Sequence, residues 1–234
     1  MIIIIFACLI LITISICIWG GVAIKKQNYI TTHDLITTMN ETLGFLKELN
    51  IPFQICAGTA LGAYRSGKFI PGDDDIDIQV YNFDLEKLGF KTIEKQKNHI
   101  NSIAKKYNLT PINKNSAPYL YTRNGKGMPI MYQYMYKNKM MPHIDIYIYY
   151  KENNNVWLFA EGGERTKMGL KFPFEPSMTV KLHGQNLPCS ALSHLKAFYG
   201  PNFMTPVKKS NKDYYNMKKT FYGEFPDKWL MPLE

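Results

Sequence analysis

Two stretches of this sequence alternate polar and β-branched residues, and they constrain the fold more than any other feature. Residues 75–80 have the sequence DIDIQV, and residues 143–147 have the sequence HIDIY. A period of two is typical of a β-strand with one polar face and one buried face. The pattern therefore predicts two strands, and it places the carboxylates of Asp75 and Asp77 on the same face of the first.

Carboxylates on a half-buried strand face need a cation, because burying unpaired negative charge is costly. Asp145 projects from the second strand, which can pair beside the first. Three carboxylates on neighbouring strands suit a two-metal site for phosphoryl displacement. We therefore predict Asp75, Asp77 and Asp145 as catalytic ligands of Mg2+ or Mn2+. His143 shares the polar face, but a lone histidine on a strand is more often structural, and we interpret it so.

A glycine turn precedes the acidic stretch. A short apolar strand at Phe53 to Ala57 leads into Gly58-Thr59, which opens a short helix that ends near Gly67. Backbone N–H groups at a helix start bind phosphate. We predict that Gly58 and Thr59 receive the phosphates of a nucleotide-linked donor, with Arg65 and Lys68 as additional cationic contacts.

A solvated loop or a calcium site would account less well for the acidic run from Asp73 to Asp77. A solvated acidic loop does not require the interleaved isoleucines. A calcium-binding EF-hand loop that starts at Asp73 needs a glycine where Ile78 stands. The alternating strand is therefore the favoured interpretation.

The remaining patterns indicate a mixed α/β domain. Apolar residues between Leu35 and Leu49 recur at helical spacing, and the Lys-rich segment 85–107 is typical of one or two surface helices. Further predicted elements are strands at 130–136, 143–149 and 156–159, a hairpin at 178–187 and a helix at 191–199.

The first 24 residues are different in kind. Ile2 to Ile24 contains no charged side chain, and as a helix it would run about 34 Å, enough to cross a hydrocarbon core. We predict an N-terminal transmembrane anchor over residues 1–24, with a cleaved signal peptide as the alternative. Lys25 and Lys26 follow directly, and the positive-inside rule would then leave the domain in the cytosol.

Composition excludes some classes of site and partner. Outside the apolar segment the chain has only Cys56 and Cys189, so no disulfide framework or cysteine zinc site can be built. The net charge of +9 suits nucleic acid, an anionic membrane or a phosphate-bearing substrate. No nucleic-acid-binding motif accompanies the charge, and we expect no nucleic-acid partner.

The ordered combination of two motifs resembles the LicD/fukutin family. These motifs are GTALGAYR at residues 58–65 and FIPGDDDID at residues 69–77. Asp145 matches a downstream strand aspartate of that family, and residues 172–206 resemble its closing region. Gly72 is a departure, since the family commonly has an aromatic residue there.

The resemblance implies a nucleotidyltransferase-like fold with a mixed sheet flanked by helices. It implies transfer of a phospho-alcohol, such as phosphocholine or ribitol phosphate, from a CDP-linked donor to a glycan. It carries over Asp75, Asp77 and Asp145 as metal ligands and Asp73 as an accessory carboxylate. Eukaryotic members that act on glycans often hang from an N-terminal anchor, so the resemblance favours a single-pass membrane protein whose domain faces the Golgi or ER lumen.

The predicted organisation has four parts. Residues 1–24 form the anchor, 25–49 a linker and leading helix, 50–206 the catalytic domain, and 207–234 a basic C-terminal extension. Two alternative functions remain. One is a glycosyltransferase that holds a nucleotide sugar with its Asp-x-Asp motif, and the other is a catalytically silent membrane protein that binds a glycan or a nucleotide.

Overall fold

The mixed α/β class is confirmed. The structure is a computed structural model, and it describes residues 30–112, 118–159, 169–206 and 227–234. The described helices and strands belong to one compact unit, Thr32–Glu234. Over those residues, eleven strands form one mixed sheet flanked by helices.

The helices occupy the first half of the unit and its end. They are α1 (Thr32–Glu48), α2 (Ala57–Ser66), α3 (Asn82–Glu86), α4 (Ile93–Lys106) and α5 (Leu192–Tyr199). The segment predicted as one or two surface helices thus contains α4 and the end of α3.

The two acidic segments predicted to be strands form β2 and β6, and other strands lie before, between and after them. They are β1 (Gln54–Ile55), β2 (Asp75–Tyr81), β3 (Leu109–Pro111), β4 (Tyr119–Arg123), β5 (Lys126–Tyr136), β6 (Lys139–Glu152), β7 (Asn155–Phe159), β8 (Gly169–Pro173), β9 (Met178–Leu182), β10 (Gln185–Cys189) and β11 (Met231–Pro232). The predicted hairpin is confirmed as the antiparallel pair β9 and β10.

The sheet runs in the order β11-β5-β6-β2-β1-β10-β9, with β3 and β4 also paired to β5 and with β7 joining β6 to β8. Two neighbouring pairs are parallel, β2 with β6 and β1 with β10. The parallel pairing of β2 with β6 sets the two acidic stretches side by side.

One face of the sheet is an apolar core beneath α1 and α4. The isoleucines of the two alternating stretches point to this face, and Ile76 and Ile78 are fully buried. Phe45 of α1 contacts the Tyr134 ring edge to face at 5.7 Å, and the Tyr132 hydroxyl donates to the side-chain oxygen Oε1 of Gln96 in α4 at 3.2 Å. Burial of these side chains supplies the main driving force for folding.

The opposite face is divided along the strands. Towards the C-terminal ends of β2 and β6, the buried residues Tyr81, Tyr149, Val156 and Leu158 form a cluster against which Phe198 of α5 packs. Towards their N-terminal ends the same face carries the aspartates. An apolar half therefore stands beside an acidic half on one sheet face.

Gly62 allows α2 to approach the loop that leads to β2. A Cβ atom at this position would lie 2.4 Å from the Lys68 carbonyl oxygen and 3.1 Å from the Ile70 nitrogen. These are backbone atoms, which cannot turn away as a side chain would. The close packing holds the start of the acidic loop against the helix.

We predict that Gly62→Ala destabilises the fold by about 1 to 3 kcal/mol, because the added methyl overpacks the contact. Urea unfolding would measure the change, with the exposed Ser66→Ala of the same helix as a control. An alanine is ordinarily the better helix former. Unchanged or raised stability in Gly62→Ala would therefore contradict the close contact.

His194 of α5 is buried, with only 1% of its surface exposed. Its Nε2 lies 3.4 Å from the Pro173 carbonyl oxygen. Burial lowers the pKa of His194 below its ordinary value of 6.5, although the Pro173 carbonyl opposes this shift. Below pH 6.5, His194 therefore binds a proton more readily in the unfolded chain than in the folded chain.

We predict that the free energy of unfolding falls as the pH drops from about 7 to 5, with His194 contributing up to about 1.4 kcal/mol per pH unit. Urea unfolding across this range would show a shallower pH dependence for His194→Gln. The exposed His33→Gln serves as the control and should keep the steeper dependence. Equal slopes in the two variants would refute this role for His194.

The prediction of a single-pass membrane protein with a lumen-facing domain is contradicted. Among the helices that the structure describes, none is long and apolar enough to cross a membrane. The longest, α1, has 17 residues and carries several charged side chains, whereas a span needs about 20 apolar residues. The predicted anchor at residues 1–24, and residues 207–226 of the predicted basic extension, lie outside the described residues.

Candidate active site

The register of β2 against β6 brings the predicted carboxylates together. Asp77 is the Cα partner of Asp145, and Asp75 is the partner of His143. Side chains that are partners in adjacent strands lie on the same face, with strands about 4.8 Å apart. The polar residues of both alternating stretches therefore form one cluster at the acidic half of the sheet.

Asp145 is held in place by neighbours on its own and the adjoining strand. Gln133 of β5 donates from Nε2 to Asp145 Oδ1 at 2.9 Å, and the Tyr147 hydroxyl donates to Oδ2 at 3.5 Å. His143 Nε2 lies 3.6 Å from Asp145 Oδ1 and 3.9 Å from Asp75 Oδ2. Asp145 and His143 thus face Asp75 across the two strands.

Asp77 is bound to the glycine turn. The Thr59 N–H donates to Asp77 Oδ2 at 3.2 Å, and in return the Asp77 N–H donates to Thr59 Oγ1 at 2.9 Å. A Cβ atom on Gly58 would lie 3.0 Å from Asp77 Oδ2 and 3.4 Å from Asp73 Oδ2. The missing side chain of Gly58 lets the turn sit directly over the carboxylates.

The cluster is crowded with negative charge. Asp77 is only 4% exposed, and burial raises its pKa well above the ordinary value. The nearby charges of Asp75 and Asp145 raise the pKa further, the Thr59 N–H lowers it, and Asp73 adds a smaller increase. Like charges around a buried carboxylate favour either a proton or a cation.

The donor atoms fit a divalent cation. One oxygen of Asp75, one ring nitrogen of His143 and one oxygen of Asp145 all lie within 4.8 Å of one another. Asp75 also belongs to a second such group with Asp73 and Asp74. Carboxylate-rich sets of this kind suit hard or borderline divalent ions. Asp77 belongs to neither group over the residues that the structure describes.

The structure does not bring Arg65 into this cluster. Its guanidinium donates from Nε to the Phe203 carbonyl oxygen at 2.9 Å and from Nη2 to the carbonyls of Phe203 and Thr205, the latter at 3.2 Å. Arg65 lies seven residues along α2 from Gly58, about 10 Å of helix. Lys68 is exposed beyond the helix end. Burial lowers the pKa of His183, and the charge of Lys68 lowers it further.

Two residues of the cluster are not among the predicted site residues. The sequence pattern favours a structural role for His143 and does not single out Gln133. A signal for Gln133 is nevertheless present, since it is a polar residue in the middle of the predicted apolar strand at 130–136. The contact of Gln133 with Asp145 can be inferred only from the antiparallel register of β5 against β6.

Comparison with known proteins places these residues in a family context. Residues 50–191, more than half of the chain, match the family model described as LicD/FKTN/FKRP, nucleotidyltransferase domain. The matched region includes the turn, both acidic strands and β10.

Curated relatives include proteins named ribitol-5-phosphate transferase FKTN. The human protein is 24% identical over 181 residues, and the mouse protein is 26% identical over 184 residues. Each match covers 70% of this chain and 32% of the relative. The chain therefore spans about a third of the length of these relatives.

Similar solved structures include the lincosamide antibiotic adenylyltransferase LnuA with lincomycin bound. It has a TM-score of 0.42 and 13% identity, covering 82% of this chain and 97% of that one. The antibiotic-resistance factor ANT(2'')-Ia has a TM-score of 0.43 and 14% identity, covering 80% of this chain and 83% of that one.

We predict that Asp77→Asn raises the melting temperature when EDTA is present. With its pKa raised in the folded state, the protonated carboxyl favours folding at low pH, and this contribution is lost as the pH rises. At neutral pH the charge of Asp77 therefore opposes folding. An amide keeps an acceptor for the Thr59 N–H and removes the repulsion, so we expect a gain of roughly 1 to 2 kcal/mol.

Thermal unfolding in EDTA, followed by circular dichroism, would measure this gain. Glu94→Gln, on the exposed surface of α4, is the control for loss of one negative charge. A melting temperature for Asp77→Asn at or below that of the wild type would show that the carboxylate does not oppose folding.

Proposed function

The chain belongs to the LicD/FKTN/FKRP nucleotidyltransferase family, and on that basis we propose that it is a metal-dependent transferase that moves a phospho-alcohol from a CDP-linked donor to a glycan. The observation that carries the proposal is the cluster of Asp75, Asp77 and Asp145 on adjacent parallel strands beneath the glycine turn. Family membership supports the reaction class. The cluster would hold the metal ion that binds the anionic donor.

We assign the metal to the acidic cluster. Asp75 and Asp145 would hold Mg2+ or Mn2+, with Asp77 completing the negative site and Asp73 as an accessory carboxylate. A divalent ion bound there would neutralise negative charge on the donor phosphates.

The other residues of the site position these groups. Gln133 fixes the orientation of Asp145 through its 2.9 Å hydrogen bond. Asp77 binds Thr59 through two hydrogen bonds and so fixes the turn relative to β2. Gly58 leaves the space between turn and carboxylates unfilled. We propose that the donor phosphates enter beside this turn.

Arg65 and Lys68 have different parts in this proposal. Arg65 ties α2 to the chain after α5 by binding the Phe203 and Thr205 carbonyls, so its contribution is to the shape of the domain. Lys68 remains exposed, and we propose it as the cationic contact for an incoming anionic substrate.

The names of the relatives support ribitol phosphate as the first candidate for the group transferred. Phosphocholine is the second candidate. We also propose residues 50–206 as the catalytic region. The leading helix α1 is part of the same fold, since Phe45 and Leu46 are buried against the sheet core.

We predict that the full chain releases CMP from CDP-ribitol in the presence of Mg2+ or Mn2+ and a mixed glycan acceptor. Asp75→Ala and Asp145→Ala should each reduce turnover by at least about a hundredfold, because each removes a ligand of the ion that would neutralise the reacting phosphate. The matched control is Glu94→Ala, which removes an exposed carboxylate from the opposite face.

The donor panel separates the competing functions. It should contain CDP-ribitol, CDP-choline, a UDP-sugar and a GDP-sugar, with chromatography of the released nucleotide. Release of UDP or GDP in place of CMP would replace the proposal with a glycosyltransferase. Wild-type turnover in both aspartate variants would remove the acidic cluster from the reaction.

A further inference from the structure

His143 has an environment that a structural histidine does not need. It is the Cα partner of Asp75 and lies two residues before Asp145 on the same strand face. Its side chain is 18% exposed, so it does not fill the apolar core. Its ring nitrogen Nε2 points towards both carboxylates, at 3.6 Å from Asp145 Oδ1 and 3.9 Å from Asp75 Oδ2.

These distances match ligands of a shared ion better than hydrogen bonds. A nitrogen and an oxygen 3.6 Å apart are not hydrogen-bonded. Two ligands that each lie about 2.1 Å from one octahedral ion are roughly 3.0 Å apart when adjacent and about 4.2 Å apart when opposite. Both separations from His143 Nε2 fall within this range.

Orientation of Asp145 is already provided by another residue. Gln133 donates to Asp145 Oδ1 at 2.9 Å, the geometry expected of an outer residue that aligns a metal-binding carboxylate. His143 is therefore not required to align Asp145. His143 instead places a nitrogen donor beside the carboxylates of Asp75 and Asp145.

The remaining histidines of the chain differ from His143 in this respect. His183 Nε2 accepts from the Phe69 N–H at 3.1 Å, and His194 Nε2 contacts the Pro173 carbonyl. His99 packs on the Phe90 ring at 5.0 Å, and His33 is exposed on α1.

We propose that His143 is a nitrogen ligand of the divalent ion held by Asp75 and Asp145, and that it makes this site prefer a first-row transition ion such as Mn2+ over Mg2+. The inference rests on the proposed metal-dependent function but adds a ligand and a metal preference to it. Imidazole binds transition ions well, whereas Mg2+ favours carboxylate and water oxygens. One nitrogen among oxygen ligands therefore shifts selectivity without closing the site.

Binding of Mn2+ alone to the full chain provides the test, because it requires no turnover. Electron spin echo envelope modulation detects a nitrogen nucleus bonded directly to Mn2+, and calorimetry measures the affinities for Mn2+ and Mg2+. We expect nitrogen coupling in the wild type and in the His33→Gln control. In His143→Gln the coupling should vanish, and Mn2+ affinity should fall at least about tenfold while Mg2+ affinity changes little.

Retained Mg2+ binding in His143→Gln would also show that the variant is folded. Mn2+ that binds through Asp75 and Asp145 without nitrogen coupling would overturn the inference, because it would show that His143 is not a ligand of the ion. That result leaves CMP release dependent on both aspartates and so leaves the proposed function intact. Conversely, nitrogen coupling without CMP release supports the ligand while removing the proposed reaction.

Discussion

The parallel pairing of β2 with β6 is the constraint on which the rest of the site depends. It sets Asp77 against Asp145 and Asp75 against His143, and so concentrates negative charge on one end of a sheet face. Such a cluster opposes folding in the absence of a cation. The apolar opposite face, where Ile76 and Ile78 are fully buried, offsets that cost. It also excludes a slip of one residue, because that slip would turn the aspartates into the core.

The glycine turn and the acidic strand form one unit. Thr59 and Asp77 exchange two hydrogen bonds, and the Cys56 N–H donates to the Asp77 carbonyl oxygen at 3.1 Å. Gly62 then allows the loop before β2 to pack on α2. The turn, the helix and the loop are therefore held at fixed distances around the carboxylates, which is the rigidity that a preorganised charged site requires.

The sequence is sufficient for the local parts of this arrangement. Alternation predicts which residues share a strand face, so Asp75 with Asp77 and His143 with Asp145 can be placed together. Alternation does not contain the direction or register of pairing between distant strands, and these decide that Asp77 is beside Asp145. Proximity in sequence is misleading for Arg65, because its partner Phe203 is 138 residues away and a helix separates it from the turn.

The two aspartates of the Asp-x-Asp motif differ in burial and in the groups that they contact. Asp75 is 26% exposed and belongs to both groups of potential metal ligands, whereas Asp77 is buried and bound to Thr59. Asp77 accepts the Thr59 N–H of the turn and is surrounded by like charges. The charge of the site therefore affects how strongly Asp77 holds the turn. Neutralisation of the site by a cation would favour the ionised form of Asp77, and that form is the stronger acceptor for the Thr59 N–H. The two aspartates are thus equivalent in sequence and unequal in structure, since Asp75 belongs to both groups of potential metal ligands and Asp77 is hydrogen-bonded to the turn.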